Sequence, residues 1–554
     1  MPCYHGAMEG VVYQELVAAL QNPQAYPEKC AAVEHLETHI SHLFLTGRQV
    51  YKVKKPVDFG FLDFTTLEKR RHYCHREVEL NRRLSPEVYL GVSEVRIQGG
   101  SYTLDGPGRA VEYAVRMLQL PREKSLSRLL RQDQVSRDDI GRLARKIAEF
   151  HGRAETSPRI TQLGGLEAVR ENIAENFSQT EKYIGLCLSR EEFDDLAAYS
   201  RAFLSVKEDV FRRREERGRV RDCHGDLHAA QIFLDTGPEP VSGDGISIID
   251  CIEFNDRFRC SDVAEDVAFL AMDLDFHARP DLSRWFIETY QQASGDGGVA
   301  ALLDFFKTYR AYVRGKVASF RLDDPQLAGP EREETREVAR AYFRLAHTYI
   351  PLLPSPAVVL VGGLSGTGKS TVAEELARRW DLACVSSDLT RKRLAGVDPR
   401  EHRYLPPGEG IYSPEFTRRT YDDMLRQAQE HLEAGRSVVL DATYRRREER
   451  ARVVEAAGRW GAQVWMVECS LGDEEARRRL ERRVQEGDSV SDGRWELYQQ
   501  QREDWEPVQE APSGRHLRLA TEPPPDETMR QLLYLLYVSI LSDEGPAGPY
   551  REIG

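Results

Sequence analysis

The sequence has no C-x-x-C pair and no regular ladder of cysteines: its nine cysteines are scattered from Cys3 to Cys469. That pattern excludes a disulfide frame and a cysteine-based zinc site, and it reads as free thiols in a reducing compartment. The first residues, MPCYHGAMEG, contain no basic segment followed by an apolar stretch, so no signal peptide is expected. The longest apolar run, Leu532 to Leu541, is about half the roughly 20 residues that a membrane span requires. A cytoplasmic protein with no membrane partner is the expectation. Net positive charge is also lacking, since 90 Asp and Glu outnumber 77 Lys and Arg, giving a formal net charge of -13 and a pI near 5.7. Bulk coating of nucleic acid is therefore excluded, although screening over about 8 Å leaves room for a local basic site. No internal repeat or low-complexity tract stands out.

The chain is long and mixed in composition. At ~100–200 residues per domain, its 554 residues suggest two to four domains. With 41% hydrophobic and 30% charged residues, folded globular protein is the default. The first half mixes an extended stretch at Gln49 to Val53 with long helical periodicity, including Leu67 to Leu84 and about Ile140 to Ala346. A strand–turn–strand stretch between Val220 and Ile252 interrupts the latter. Three prolines in IPLLPSP, Ile350 to Pro356, mark a linker, because residues before proline are driven out of the helical region. The expected organisation is a first domain over 1–349, a linker over 350–356 and a second domain over 357–554.

Beyond the linker the pattern changes. Apolar strands at Ala357 to Val361, Ser437 to Ala442 and Gln463 to Glu468 alternate with helical stretches, the first of these being Thr371 to Trp380. This is the signature of a parallel sheet covered on both faces. A last helix after Pro523 to Pro525 is expected to be capped by Asp526 and to pack its leucines on that sheet. Between the first strand and helix, GLSGTGKS runs from Gly363 to Ser370 and fits G-x-x-x-x-G-K-[ST]. Gly363, Gly366 and Gly368 allow the backbone amides, with Thr367 between them, to curl around a β-phosphate. The following helix, starting near Thr371, aims its positive end at the same group. Lys369 then reaches the β- and γ-phosphates, and the Ser370 hydroxyl can ligate Mg²⁺.

Four further segments carry chemistry. Asp388 follows a short strand, with Arg391 three residues later, in CVSSDLTRKRL. Asp441 ends the strand VVLD and reads either as a metal-side acid or as a cap of the next helix. In EEARRRLERR, Arg479 and Arg483 share a helical face, which suits either a lid over phosphates or a solvated surface. In the first half, HGDLH (His224 to His228) is followed by Asp250 at the end of the strand ISIID. Two aspartates on such an element suit a kinase in which one positions the acceptor hydroxyl and the other holds Mg²⁺. Lys52 and Lys54 in VYKVKK have the same facing, Lys52 being the better candidate for the ATP-anchoring lysine and Glu77 its partner. Lys54 could equally be a surface lysine. Asp262 and Asp266, further on, read as loop-bracing acids.

These motifs resemble two known families. The second half, over about Val358 to Glu496, is similar to the P-loop kinases that phosphorylate a hydroxyl, such as polynucleotide kinase, gluconate kinase and the zeta-toxin group. The resemblance implies an α/β P-loop NTPase fold, with Asp388 as proton acceptor, Arg391 as substrate holder, Asp441 on the metal side, and Arg479 and Arg483 in the lid. The first half, over about residues 35 to 345, resembles the aminoglycoside phosphotransferase family, an α+β protein-kinase-like fold. That resemblance implies Asp226 as the catalytic acid/base and Asp250 as the metal ligand. Thr38 to Leu45 would cover the phosphates, since no G-x-G-x-x-G is present.

One position departs from the second pattern. Where the family has asparagine as a further metal ligand, this chain has Gln231. The amide oxygen is kept on a longer arm, while Mg²⁺ demands near-ideal geometry at about 2.1 Å. Two outcomes stay open for this half, namely turnover or nucleotide binding without it. The two resemblances together imply a bifunctional, ATP- and Mg²⁺-dependent phosphotransferase whose acceptor is a small-molecule or nucleic-acid-end hydroxyl. The alternative is a nucleotide-binding regulator that hydrolyses ATP slowly. Neither acceptor nor oligomeric state is legible.

Overall fold

The computed structural model describes residues 7–235, 241–398, 408–486 and 493–543. The chain forms two compact units. Met1–Tyr183 and Glu208–Tyr349 make the first, while Ile184–Lys207 joins Ile350–Gly548 in the second. Among the described residues no helix is long and apolar enough to cross a membrane.

The first unit opens with six strands, β1 (Glu34–Glu37), β2 (Ser41–Leu45), β3 (Gln49–Lys54), β4 (Tyr89–Gln98), β5 (Ser101–Leu104) and β6 (Arg109–Leu118). They form one antiparallel sheet in the order β1-β2-β3-β6-β4-β5. Strand periodicity divides β3 between two cores. Tyr51 and Val53 face Leu16, Leu20 and Phe44, while Val50 lies in the other cluster with Cys74 and Val78. The helix Leu67–Asn81, started by the Thr66 side chain accepting from Lys69 N, supplies Cys74 and Val78. Lys52 and Lys54 share the Val50 face, so both are carried beneath this helix. The expected phosphate-covering segment Thr38 to Leu45 contributes the β1–β2 turn and β2. The helical remainder carries four short strands, β7 (Val220–Asp222), β8 (Ile232–Leu234), β9 (Ile246–Ile248) and β10 (Cys260–Asp262). These pair as two antiparallel ribbons, β8 with β9 and β7 with β10, which frame the HGDLH loop.

In the second unit, β11 (Ala357–Gly363), β12 (Ala383–Ser386), β13 (Val438–Asp441), β14 (Gln463–Ser470) and β15 (His516–Ala520) form a parallel sheet ordered β12-β13-β11-β14-β15. Every residue of the central strand β11 is buried. One sheet face is sealed by Met424, Ala428, Val453 and Ala457 from two covering helices. The last helix differs from expectation at its start: it runs Pro525–Asp543, with Asp526 in its first turn instead of at the cap. Proline at the first helical position has no N–H to satisfy and a preset φ, so no side-chain cap is needed there.

The division also differs from a single cut near residue 349. The helix Arg190–Val206 lies inside the first half by sequence but packs in the second unit. A capping box between Ser189 and Glu192 starts it. Its Leu196, Tyr199 and Phe203 form one buried stripe, and the Tyr199 ring meets the buried Tyr537 of the last helix at 5.7 Å. Arg379 Nε donates to Asp195 Oδ1 at 2.9 Å, an ion pair with both side chains under 5% exposed.

Candidate active sites

The site of the first unit assembles around β3. Lys52 Nζ lies 2.9 Å from Glu77 Oε1 and 2.5 Å from Asp250 Oδ1. Lys54 Nζ donates to Glu77 Oε2 at 2.6 Å and also pairs with Glu253. One glutamate thus anchors both lysines. Their surroundings separate them: the Lys54 side chain is fully buried, against the reading of a surface lysine, whereas Lys52 retains 11% exposure and faces Asp250. Burial pushes the Glu77 carboxyl up, but the two ammonium groups outweigh it and hold its pKa at about 2. Glu77 therefore contributes stability that is fully present above its ordinary value of 4.5 and is lost as pH falls toward about 2. Glu77→Gln is expected to cost about 3–5 kcal/mol, because two lysines lose a shared counter-charge in a buried site. Urea unfolding at neutral pH and near pH 3 checks this, the variant showing the smaller acid sensitivity.

The HGDLH loop is fixed by its own side chains. His224 Nδ1 accepts from Asp226 N at 3.3 Å, and His224 Nε2 donates to Ile249 O at 3.0 Å, so this buried ring is neutral. Asp266 accepts from His224 N at 3.0 Å and Gly225 N at 2.9 Å. Asp262 pairs with Arg214 through two 2.7 Å bonds. Both acids brace loops. Gly225 sits at φ +84°, where a Cβ would come within 2.7 Å of Phe258 O, so glycine is required. His228 Nδ1 accepts from Ala230 N at 3.3 Å, and its Nε2 lies 3.4 Å from Asp226 Oδ2 and 3.4 Å from the Arg314 guanidinium. Burial raises the Asp226 pKa, yet His228 and the Arg314 guanidinium hold it well below the usual carboxylate range. The carboxylate is ready to accept a hydrogen bond at any physiological pH.

Asp250 adopts the left-handed conformation at φ +64°, which aspartate tolerates better than most residues. Its N–H donates to the Tyr89 hydroxyl at 3.1 Å, and Gln231 Nε2 donates to its Oδ2 at 3.1 Å. Asp250 and Gln231 therefore adjoin, as a shared cation would need. The amide turns its nitrogen to the carboxylate, and Gln231 would hold a cation through its other atom, Oε1. The fit is that of two oxygen donors beside an anchoring lysine.

In the second unit the glycine-rich loop follows β11. Gly363, Gly366 and Gly368 have φ values of +149°, +85° and +79°. At Gly366 a Cβ would lie 2.8 Å from Leu480 Cγ, so the loop and the helix Asp473–Glu486 approach too closely for a side chain. Thr367 is buried, its hydroxyl donating to Leu364 O and its carbonyl accepting from Thr521 Oγ1 at 2.7 Å. The helix begins at Lys369, two residues before the expected Thr371, and ends at Arg379. Ser365 N donates to Gln501 Oε1 at 2.9 Å, a loop partner that no sequence motif reveals.

A cleft of about 1080 Å³ opens from this loop, and Ser370, Thr371, Asp388, Arg479 and Arg483 all line it. The strand β12 stops at Ser386, so Asp388 belongs to the first turn of the helix Ser387–Leu394. Asp441 is 4% exposed and ends β13; the next helix starts only at Arg447, so Asp441 is not its cap. Burial raises the Asp441 pKa, with Lys369 and the Ser370 hydroxyl opposing and Asp388 reinforcing the rise. Its Oδ1 is buried and accepts no hydrogen bond. A hard cation fits that vacancy in bonding, since Asp441 and Ser370 are oxygen donors side by side. Arg479 lies on the cleft wall, where it donates to Glu475 at 2.8 Å and to Thr521 O at 2.8 Å. Burial lowers the Arg483 pKa and Asp388 raises it, placing those two charges together.

Arg391 is a correction. It does not line the cleft but donates to Ile411 O at 2.6 Å and Thr417 Oγ1 at 3.2 Å, with its guanidinium over Tyr412. The carbonyl, hydroxyl and aromatic face hold a planar cation that is only 7% exposed, with its Nε buried and unbonded, so it braces the segment before the helix Pro414–Glu433.

Comparison with known proteins finds a different family in each half of the chain. A family model described as "Phosphotransferase enzyme family" matches residues 70–305, and one described as "AAA domain" matches 358–507. Proteins of Mycobacterium tuberculosis and Mycobacterium bovis, described only as uncharacterized, are 34% identical over 412 residues, covering 74% of this chain and 78% of theirs. Among solved structures, a gluconokinase from Sinorhizobium meliloti is 20% identical over 34% of this chain and 94% of its own, with a TM-score of 0.24. The GDP complex of aminoglycoside 2'-phosphotransferase-IIIa is 15% identical over 60% of this chain and 98% of its own, with a TM-score of 0.39.

Proposed function

Since the chain belongs to the family of these mycobacterial proteins and joins a phosphotransferase domain to a P-loop kinase domain, we propose that it is an ATP- and Mg²⁺-dependent phosphotransferase acting on a hydroxyl. The observation that carries this reading is the grouping of Asp388, Asp441, Ser370 and Arg483 about one phosphate-binding loop. The loop amides and Lys369 hold the β- and γ-phosphates. Asp388 takes the proton of the acceptor hydroxyl as its oxygen bonds to the γ-phosphorus, the β–γ bridging P–O bond breaks, and ADP leaves. Arg479 and Arg483 offset charge spread over the γ-phosphate oxygens. Magnesium, held by Ser370 and Asp441, would neutralise charge on the β- and γ-oxygens. The acceptor is a small metabolite or a nucleic-acid end.

In the first unit, Asp226 orients the acceptor hydroxyl and Lys52, placed by Glu77, anchors ATP, with Asp250 and Gln231 on the metal side. The amide nitrogen of Gln231 facing Asp250 favours a second reading for this unit alone, nucleotide binding without turnover. Isotopically labelled ATP incubated with a metabolite extract tests both. The intact protein is expected to yield a labelled product of the P-loop site that Lys369→Ala removes, and any product that survives in Lys369→Ala belongs to the first unit. Absence of any labelled acceptor, with ATP still bound, would replace the enzyme by a nucleotide-dependent regulator.

A further inference from the structure

Three cations share one face of the helix Leu303–Phe320 in the first unit: Lys307, Arg310 and Arg314, three and then four residues apart. The first two have carboxylate mates in the core. Lys307 Nζ lies 2.8 Å from Asp275 Oδ2 and Arg310 NH2 lies 2.8 Å from Glu265 Oε1, with all four side chains buried. Arg314 has no such mate. Among the described residues no carboxylate comes within 4 Å of its guanidinium. An arginine drawn out of water is normally paired, because the desolvation of its charge is otherwise uncompensated.

Arg314 is nevertheless held in place. Its guanidinium lies over the Tyr342 ring at 5.5 Å, and that ring is stacked on Phe276 at 3.9 Å. Gly315, next in the chain, lets the helix close on the helix Gly329–Thr348, since a Cβ there would meet the Phe343 ring at 3.0 Å. Arg314 NH1 stands 3.4 Å from His228 Nε2, the same nitrogen that stands 3.4 Å from Asp226 Oδ2. The unpaired cation and the Asp226 carboxylate therefore flank one edge of an imidazole. Asp226 keeps 32% of its side chain exposed and Arg314 is half-buried, so a ligand can reach both. Asp273 also acts on the Arg314 charge, but its Oδ2 is committed to Ala229 N at 2.8 Å.

We propose that the acceptor of the first unit is a small hydroxylated anion, a hydroxy acid or a sugar phosphate, whose carboxylate or phosphate binds Arg314 while Asp226 orients its hydroxyl. The inference rests on the reading of Asp226 given above. ATP is assigned to Lys52, with Asp250 and Gln231 on the metal side, so the group that meets Arg314 belongs to the acceptor. A neutral polyol would leave the guanidinium uncompensated, and an amino sugar would set a second cation beside it. A carboxylate or phosphate matches its planar fork of donors. Only the His228 edge separates Arg314 from Asp226, so the anionic group sits a few bonds from the reacting hydroxyl. That hydroxyl oxygen bonds to the γ-phosphorus, its proton passes to Asp226, the β–γ bridging P–O bond breaks, and ADP leaves.

The test uses the full chain carrying Lys369→Ala, with labelled ATP, Mg²⁺ and a metabolite extract separated by charge into anionic, neutral and cationic pools. Labelled product is expected from the anionic pool. Treating that pool with a phosphatase, then removing the phosphatase, destroys a sugar-phosphate acceptor and spares a hydroxy acid. For the acceptor so isolated, Arg314→Gln should raise KM about 10-fold or more and change kcat much less, with Arg314→Lys between. The Tm of Arg314→Gln should not fall, since no carboxylate loses a mate, whereas loss of a merely structural arginine would lower it. Product chiefly from the neutral or cationic pool, or a loss in kcat with KM unmoved, overturns the assignment. If no pool yields product, the turnover reading of this unit fails, and sulfate titrated in the presence of Mg²⁺ and ADP decides the anion site. Sulfate binding lost in Arg314→Gln upholds it; binding that is equal in both proteins, or absent from both, overturns it.

Discussion

Asp388→Asn is expected to slow phosphoryl transfer at the P-loop cleft by about 10²–10⁴-fold, the range that a positioned proton acceptor supplies. Asparagine keeps the size and the position of the side chain in the first turn of its helix, and it leaves Lys369, Ser370 and the glycines untouched. Nucleotide affinity should therefore stay within a few-fold of the original, and the loss should appear in the rate of the chemical step. Single-turnover transfer from labelled ATP to the acceptor found in the extract measures it. A variant as fast as the parent would remove Asp388 from the chemistry and leave it as a partner of Arg483, whose charge it faces.

The second large effect belongs to the other unit. In a Lys369→Ala background, where only the first unit can act, Asp226→Asn is expected to cut acceptor phosphorylation by about 10²-fold or more. His228 and Arg314 hold the Asp226 pKa low despite burial, so the rate should be flat with pH above the ordinary carboxylate range. A carboxylate of so low a pKa is a weak base at rest, and its role is to align the hydroxyl and to take the proton late in the transfer. The pH–rate profile of this background checks the sign: a rate that climbs through pH 6 to 7 would place a different group in control. If the background protein binds ATP yet transfers nothing, with or without Asp226→Asn, the first unit binds without turnover, and Gln231 is the residue to restore to asparagine.

Much of both sites was legible because their chemistry is written in contiguous residues. Gly363, Gly366, Gly368, Lys369 and Ser370 must be close in sequence, since successive amides of one turn make the phosphate cradle. The same holds for His224, Gly225 and Asp226, where the histidine ring bonds the backbone two residues on. The strand period placed Lys52 and Lys54 on one face, but not the depth of either. Only packing under the helix Leu67–Asn81 separates Lys52, which keeps a small exposure, from the fully enclosed Lys54. Arg391 shows the converse, since its spacing from Asp388 suggested a substrate ligand, while a carbonyl 20 residues further along the chain captured it.

By itself the sequence determined the two phosphate-handling motifs and the parallel sheet, because glycine spacing and apolar runs act locally. The tertiary structure decided which long-range partners complete each site. It gave the Arg190–Val206 helix to the P-loop unit. An amphipathic helix announces that one face will be buried; the surface that buries it depends on shape and charge hundreds of residues away, where Tyr537 and Arg379 supply both.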